Sequence, residues 1–354
     1  MKNKKFLIVL SLLLLSSCQT GELPSLASSQ ASIAEVSSLS QETESSQSSA
    51  YSSASSSSSL SSSSASSSEK ESSAISSSME SSSFEASSSA VSSVAKDGAQ
   101  FPDDFTAAKK KYYASVVGLK GLDLKNALHD ILNNYSPITY KAASQALKVI
   151  DRDPNNSSNV IEIYTQNSIP AANRDGESSA SNLWNKEHVY PQSRGNFTTS
   201  QSIGADCHSI HCSDKTTNQV RGNTNYYQFS VGESYSAVPT NDPEHPDSKA
   251  KINKAYGYGF EPQDSAKGDC ARSVFYMAVM YPNNCAITND KTQSTDDQLG
   301  MLKFLVHWNE LDKVDEREKK RNESVYSYQK NYNPFIDAPE WINLIWDEDG
   351  IIGL

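Results

Sequence analysis

The feature that most limits what this chain can fold into is a long serine-dominated stretch in its front third. From about Gln19 to Val94 the sequence is mostly Ser, with Ala and scattered Glu. Its few apolar residues keep neither a helical nor a strand period. Such a segment buries too little surface to offset the entropy of ordering it. Residues 19–99 are therefore expected to be a disordered spacer, with a glycosylated stalk or an adhesive repeat as alternatives. Near Gln100 the composition changes, and Leu, Ile, Trp and the aromatics return. Residues 100–354 are long enough for one substantial core.

Ahead of the spacer, residues 1–18 read as an export signal. Lys2, Lys4 and Lys5 supply a positive start, and Phe6 to Leu15 is an apolar run too short to span a bilayer stably. Leu15-Ser16-Ser17-Cys18 then resembles the lipobox of bacterial lipoproteins. That resemblance implies lipidation of Cys18 and an anchor without a spanning helix. The other reading is an ordinary signal peptide followed by an incidental cysteine. Either places the working domain outside the cell, on the outer face of a bacterial membrane or secreted. Four further cysteines, Cys207, Cys212, Cys270 and Cys285, lie in the globular part. In an oxidising compartment they suggest two disulfides, with Cys207–Cys212 and Cys270–Cys285 the preferred pairing among three.

The globular part predicts an α+β fold, mainly helical with a small β element. Asp103 and Asp104 suit the cap of a helix through Ala107 to Val117. Leu124, Leu128, Ile131 and Leu132 share one face of a second helix, and a third runs from about Tyr140 to Ile150. Val160 to Tyr164 reads as a strand, and Leu183-Trp184 as the start of another that delivers Glu187 and His188. Ser213 and Asp214 look like the N-terminus of a short helix carrying Asn218 and Arg221, ended by Gly222. Helices follow over Asp269–Tyr281, Asp297–Leu311 and Asp315–Tyr328, with a last apolar one from Trp341 to Trp346.

Glu187-His188 is the stretch that points to chemistry. Hydrolysing a phosphodiester calls for an activated water, a counter-charge and help for the leaving oxygen. Histidine titrates near working pH and suits the first task. A hard divalent cation on a carboxylate and an amide oxygen suits the other two, and Glu187 and Asn218 offer those atoms. Adjacent strand residues point to opposite faces, a difficulty eased if the pair ends its strand before Pro191. The plain alternative leaves His188 and Trp184 as core residues and Glu187 solvated. Cys207-His208 with His211-Cys212 offers four zinc-type ligands, yet so short a span cannot easily wrap a tetrahedral ion. The net charge of −11 divides into about −4 up to Asp97 and about −7 after it. An acidic domain is not the usual footprint of a nucleic-acid binder, so capture would fall to a bound cation and a few local basic residues. The basic run Arg317 to Arg321 reads as a solvated helix face, with a nucleic-acid contact as the alternative.

Asn185-Lys186-Glu187-His188-Val189-Tyr190-Pro191-Gln192-Ser193 resembles the signature of bacterial endonuclease I family nucleases, a branch of the His-Me finger (ββα-metal) superfamily. Further blocks carry the resemblance in the same order: Ala205 to His208, Asn218 to Asn223, Lys267 to Arg272, Arg321-Asn322, and Gln329 to Asp337. It implies a domain enclosing a ββα-metal motif and non-specific cutting of DNA, often also RNA, that leaves 5′-phosphates. It further implies His188 as general base and one Mg²⁺, replaceable by Mn²⁺ or Ca²⁺, on Glu187 and Asn218. Arg221 and Arg194 are the candidates for the phosphate, Asp206 and His208 for support behind the site. A monomer is expected. Tyr332, Ala338 and Ser209 depart from residues common in the family, the first with a possible loss of phosphate affinity. The competing reading is a Ser-rich surface adhesin or nucleic-acid-binding lipoprotein with an inactive nuclease fold.

Overall fold

A computed structural model describes residues 98–253, 258–290 and 298–353. The export signal, Cys18 and the Ser-rich segment lie outside the described residues. Ten helices are numbered in order: α1 Ala107–Tyr112, α2 Gly121–Leu132, α3 Tyr140–Ile150, α4 Gln192–Gly195, α5 Lys215–Arg221, α6 Lys267–Met280, α7 Leu302–Leu311, α8 Glu316–Gln329, α9 Pro334–Asp337 and α10 Ile342–Ile345. The strands are β1 Asn159–Ile161, β2 Ser168–Pro170, β3 Trp184–His188, β4 Ile210–Asp214, β5 Asn225–Tyr226, β6 Ser236–Pro239, β7 Asp247–Ile252, β8 Tyr258–Glu261, β9 Ala286–Thr288 and β10 Gln298–Gly300. The fold is mixed α+β.

Local chemistry accounts for most of the helix boundaries. Thr139 accepts from the Ala142 amide and starts α3, and Asp315 accepts from the Glu318 amide and starts α8. On α2, Leu124, Leu128 and Leu132 follow one another at four-residue spacing and are fully buried. Truncating one of them to Ala removes about 2–5 kcal/mol. α6 is buried along its whole length, so its polar residues need partners. Arg272 makes a two-pronged pair with Glu318 of α8, at 2.7 and 2.6 Å, and Arg317 reaches Asp269 at 2.6 Å. Arg272 is thus an ion-pair partner inside the core.

Two apolar clusters result. The larger surrounds α6 and gathers Leu128, Trp308, Trp341 and Trp346. The smaller joins α3, through Ala143, Leu147 and Ile150, to Trp184, Ile210 and Val325. It lies against β3 and β4, which pair antiparallel from Trp184 opposite Asp214 to His188 opposite Ile210. α5 follows β4 directly, so the chain here runs strand, strand, helix.

Several expectations need correcting. The first helix stops at Tyr112 and is capped by Thr106, and a 3₁₀ turn covers Ala114–Val116. Gly118 follows with φ of +78°, a conformation that does not continue a helix. The strand expected through Tyr164 ends at Ile161, because Gln166 donates back to the Glu162 carbonyl and closes a turn. The small β element is larger than expected: β5, β8, β7 and β6 form a four-stranded sheet in that order.

The expected disulfides are also absent. Cys207, Cys212, Cys270 and Cys285 are buried thiols, and none of them is in a disulfide. Cys270 sits in the first turns of α6, and Cys285 follows the helix's far end. Ten residues of helix, roughly 15 Å of axis, lie between Cys270 and the end of α6, and the Cys285 amide is tied to the Tyr281 carbonyl in the turn just past that end. Cys207 and Cys212 pack among the aliphatic side chains of the smaller cluster.

Candidate active site

Glu187 and His188 occupy the last two positions of β3. Both line a cleft of about 480 Å³, together with Tyr140, Lys186 and Asn218. Strand alternation sends the two side chains to different supports. The strand's end lets both reach the cleft.

His188 packs between two rings. Tyr140 lies nearly parallel to it, with centroids 5.8 Å apart, and Phe197 meets it at 61°. Its Nε2 is 3.0 Å from the Gly204 carbonyl. A carbonyl only accepts, so Nε2 carries the proton and Nδ1 keeps its lone pair. Burial pushes the imidazole pKa down to about 4, and the nearby charges of Lys186 and Arg221 add to this. The ring is therefore neutral at pH 7. Gly204 is required where it stands: a Cβ there would meet the Thr198 carbonyl oxygen at 2.1 Å.

Glu187 is 3% exposed. Its Oε1 accepts from the Tyr164 hydroxyl at 2.6 Å and lies 3.5 Å from Arg221 Nη1. Burial raises its carboxyl to about 7, against the opposing pull of Arg221 and Tyr164. The local cation and hydroxyl thus leave its negative charge incompletely compensated.

Asn218 is delivered by α5. Asp214 accepts from the Thr217 amide at 2.7 Å and starts that helix. Gly222 ends it with φ of +56°, in the region that favours glycine. The Asn218 Nδ2 donates to Asn185 Oδ1 at 2.7 Å and to the Lys186 carbonyl at 3.3 Å. Both partners are acceptors at these contacts, which fixes the amide's orientation and leaves Oδ1 for the cleft. Among the described residues no group of three or more His, Cys, Asp and Glu comes together as a metal cluster. Glu187 is the one carboxylate lining the cleft; Asn218 offers an amide oxygen beside it, with the amides of Gln192 and Asn223 and the hydroxyls of Tyr140 and Ser193 further along the lining.

The two arginines expected at the phosphate are elsewhere. Arg221 is fully buried; it donates to the carbonyls of Gly222 and Val189 at 2.8 and 2.9 Å and lies over the Tyr226 ring. Its role is to hold Glu187 and the chain after β3. Arg194 is also buried and donates to the carbonyls of Asn223 and Gln298. Neither lines the cleft. The one cationic side chain among the described residues that does is Lys186, held by Ser144 Oγ at 2.7 Å and the Tyr140 carbonyl at 3.1 Å. Burial lowers its pKa to about 8.

Asp206 and His208 lie beneath the site and do not line it. Asp206 accepts from the hydroxyls of Tyr276 and Tyr281, the Gln329 amide and the His208 backbone, all within 3.0 Å. It anchors the chain two residues after the Gly204 carbonyl that orients His188. His208 Nε2 is 3.1 Å from the Asn331 carbonyl, and His211 bonds Ser273 on α6. Tyr332 stacks on Tyr326 at 4.1 Å and does not line the cleft.

Sequence reasoning missed Tyr140, Tyr164, Asn185 and Lys186. Asn185 and Lys186 flank the key pair and carried a signal by position alone. Tyr140 and Tyr164 come from remote segments and had none.

The family model described as Endonuclease I matches residues 120–340. An extracellular ribonuclease of Bacillus amyloliquefaciens is 41% identical over 247 residues, covering 68% of this chain and 80% of that protein. An extracellular ribonuclease of Bacillus subtilis (strain 168) is 38% identical over 260 residues, covering 72% and 83%. With a matched span that contains β3, β4, α5 and every residue of the cleft, this chain belongs to the endonuclease I family.

Proposed function

We propose that the chain is an exported, metal-dependent nuclease that hydrolyses the phosphodiester backbone of RNA and DNA with little regard to sequence. The observation that carries this reading is a neutral imidazole with a fixed tautomer, set in one cleft with the carboxylate of Glu187 and the amide oxygen of Asn218. The names of both relatives support export and action on RNA. DNA is included because the groups lining the cleft address water and phosphate and do not require a 2′-hydroxyl.

In this reading the strand–strand–helix unit is the ββα-metal motif. Glu187 and the Asn218 Oδ1 would hold a divalent cation, Mg²⁺ by preference, with Mn²⁺ or Ca²⁺ as substitutes. The donor set fits: both are hard oxygens, the amide is already turned, and the buried carboxylate carries charge that a cation would relieve. When bound, the cation supplies positive charge to the phosphate and the departing oxygen. The protein's own residues do the rest. His188 Nδ1 takes a proton from a water that attacks phosphorus, and the Gly204 carbonyl steadies the imidazolium that forms. The O3′–P bond breaks, the departing 3′-oxygen takes up a proton from solvent to leave as a hydroxyl, and the other fragment keeps a 5′-phosphate. Lys186, in place of the arginines, contacts a non-bridging oxygen. Tyr140 and Phe197 hold the imidazole against rotation. The amino-terminal signal would carry the chain out of the cell, with Cys18 as the lipid anchor and the Ser-rich segment as a spacer.

The test incubates the full exported chain with plasmid DNA and with single-stranded RNA, in Mg²⁺ and in EDTA. Cutting of both in Mg²⁺ and neither in EDTA is expected. Intact substrates with folded protein overturn the reading, and RNA cutting alone removes DNA from it. Metabolic labelling with palmitate should mark the wild-type chain and not Cys18→Ala.

A further inference from the structure

A second groove of about 480 Å³ lies between the C-terminal end of α3 and one face of α8. Five of its lining residues are basic and one is acidic, in a chain of net charge −11. Three of the five are engaged. Arg321 is buried on Asp151 at 2.7 Å, Arg317 on Asp269, and Lys319 pairs with Glu316. Arg152 and Lys320 are exposed and have no ion-pair partner among the described residues. The single acid, Glu323, is held by Lys109 at 2.9 Å. Beside these cations Val149 is 39% exposed next to Pro154, an apolar surface among the charges.

The groove is tied to the cleft by one rigid element. Tyr140 at the start of α3 lines the cleft, and Val149 near its end lines the groove. The helix separates them by about 14 Å along its axis and about half a turn around it, so a strand joining the two passes round α3 over several nucleotides. We propose that this groove is a second contact site for the substrate strand. Arg152 and Lys320 hold backbone phosphates at a distance from the bond being cut, and Val149 with Pro154 receives a base or sugar face. Single-stranded nucleic acid fits because its phosphates and bases are presented together, whereas a duplex offers the groove phosphates alone. The proposal rests on the nuclease reading for the identity of the strand, not for the existence of the site.

Two arms separate those issues. In the first, full-length His188→Ala protein binds a fluorescent single-stranded RNA 20-mer, followed by anisotropy without divalent metal. Adding Arg152→Glu and Lys320→Glu should weaken binding at least tenfold at about 0.1 M salt. It should also reduce the slope of log affinity against log salt by about 1.4, two phosphates' worth. Glutamine at both positions should give a smaller change in the same direction, with circular dichroism unchanged. In the second arm, the same pair of changes in the active chain should raise KM for a long RNA and leave cleavage of a trinucleotide unaltered. An unchanged affinity and salt slope overturns the proposal, as does an equal loss on long and short substrates. A wild-type chain that cuts nothing but loses binding with the groove changes would sink the nuclease reading and keep the groove.

Discussion

His188 and His208 make a natural comparison, because the fold prepares them almost identically. In both, Nε2 donates to a backbone carbonyl and Nδ1 keeps the lone pair. In both, burial lowers the pKa to about 4. Each stands beside an acid within two positions of it. Yet His208 Nδ1 is sealed in protein with no partner, while His188 lines an open cleft. Tautomer and pKa therefore do not make a general base. Contact with water and substrate does, and a fold can build the same imidazole twice and use one for chemistry and the other for support.

The sharpest way to break this comparison is to remove each ring. His188→Ala should lower kcat by roughly 10²–10⁴-fold while the urea midpoint stays near that of the wild type. His208→Ala should do the reverse, with loss of stability and near-normal turnover in the folded fraction. Exchanged outcomes would assign the roles the other way round.

The supports can be tested next. Arg221→Met leaves Glu187 buried with one hydroxyl partner, which should cost roughly 3–5 kcal/mol in denaturant titrations. The loss should grow with pH. The Glu187 pKa in the folded state, about 7, lies above the usual carboxylate value. Its contribution to stability is therefore full below the unfolded pKa and declines as pH rises through 7. A penalty that shrinks between pH 5.5 and 8 in EDTA would contradict this account of the pair.

A smaller effect concerns acid. His208 is neutral in the fold, with a pKa of about 4 against 6.5. Stability from that difference is present above pH 6.5 and falls away as pH drops toward 4, by roughly 3 kcal/mol in all. Urea midpoints at pH 7 and 4.5 should show the drop, and His208→Gln should lessen it, with the remainder left to His188 and His211, which burial also keeps neutral. An equally steep fall in the variant would move the effect to other groups. The smallest effect is predicted for a reducing agent, which should leave the melting temperature where it was, since no disulfide joins the described residues.

The parts of this molecule legible in the sequence are those set by local chemistry. α3 and α5 follow from their caps and apolar spacing, and Glu187, His188 and Asn218 arrive at one cleft as their elements suggest. The four-stranded sheet was harder to see, because β7 is the polar run Asp-Ser-Lys-Ala-Lys-Ile. Only Ser248, Ala250 and Ile252 are buried on alternate positions, and that faint period of two was its one signal. The arginines were misplaced for a different reason. A sequence shows that a residue is charged and not whether remote carbonyls, such as those of Val189 and Gln298, will surround it. The cysteines were misread because compartment predicts a bridge only where geometry allows one, and most of α6 lies between Cys270 and the turn that holds Cys285.

Those four sealed thiols have a bearing on how the domain is made. A chain stapled by bridges depends, after leaving the ribosome, on an oxidant and on the trial and error of reshuffling wrong pairs. This one can close by packing alone, at a pace set by its topology. Assembly of the described domain therefore asks for no oxidant, and its four thiols, buried in the fold, are shielded from peroxide afterwards.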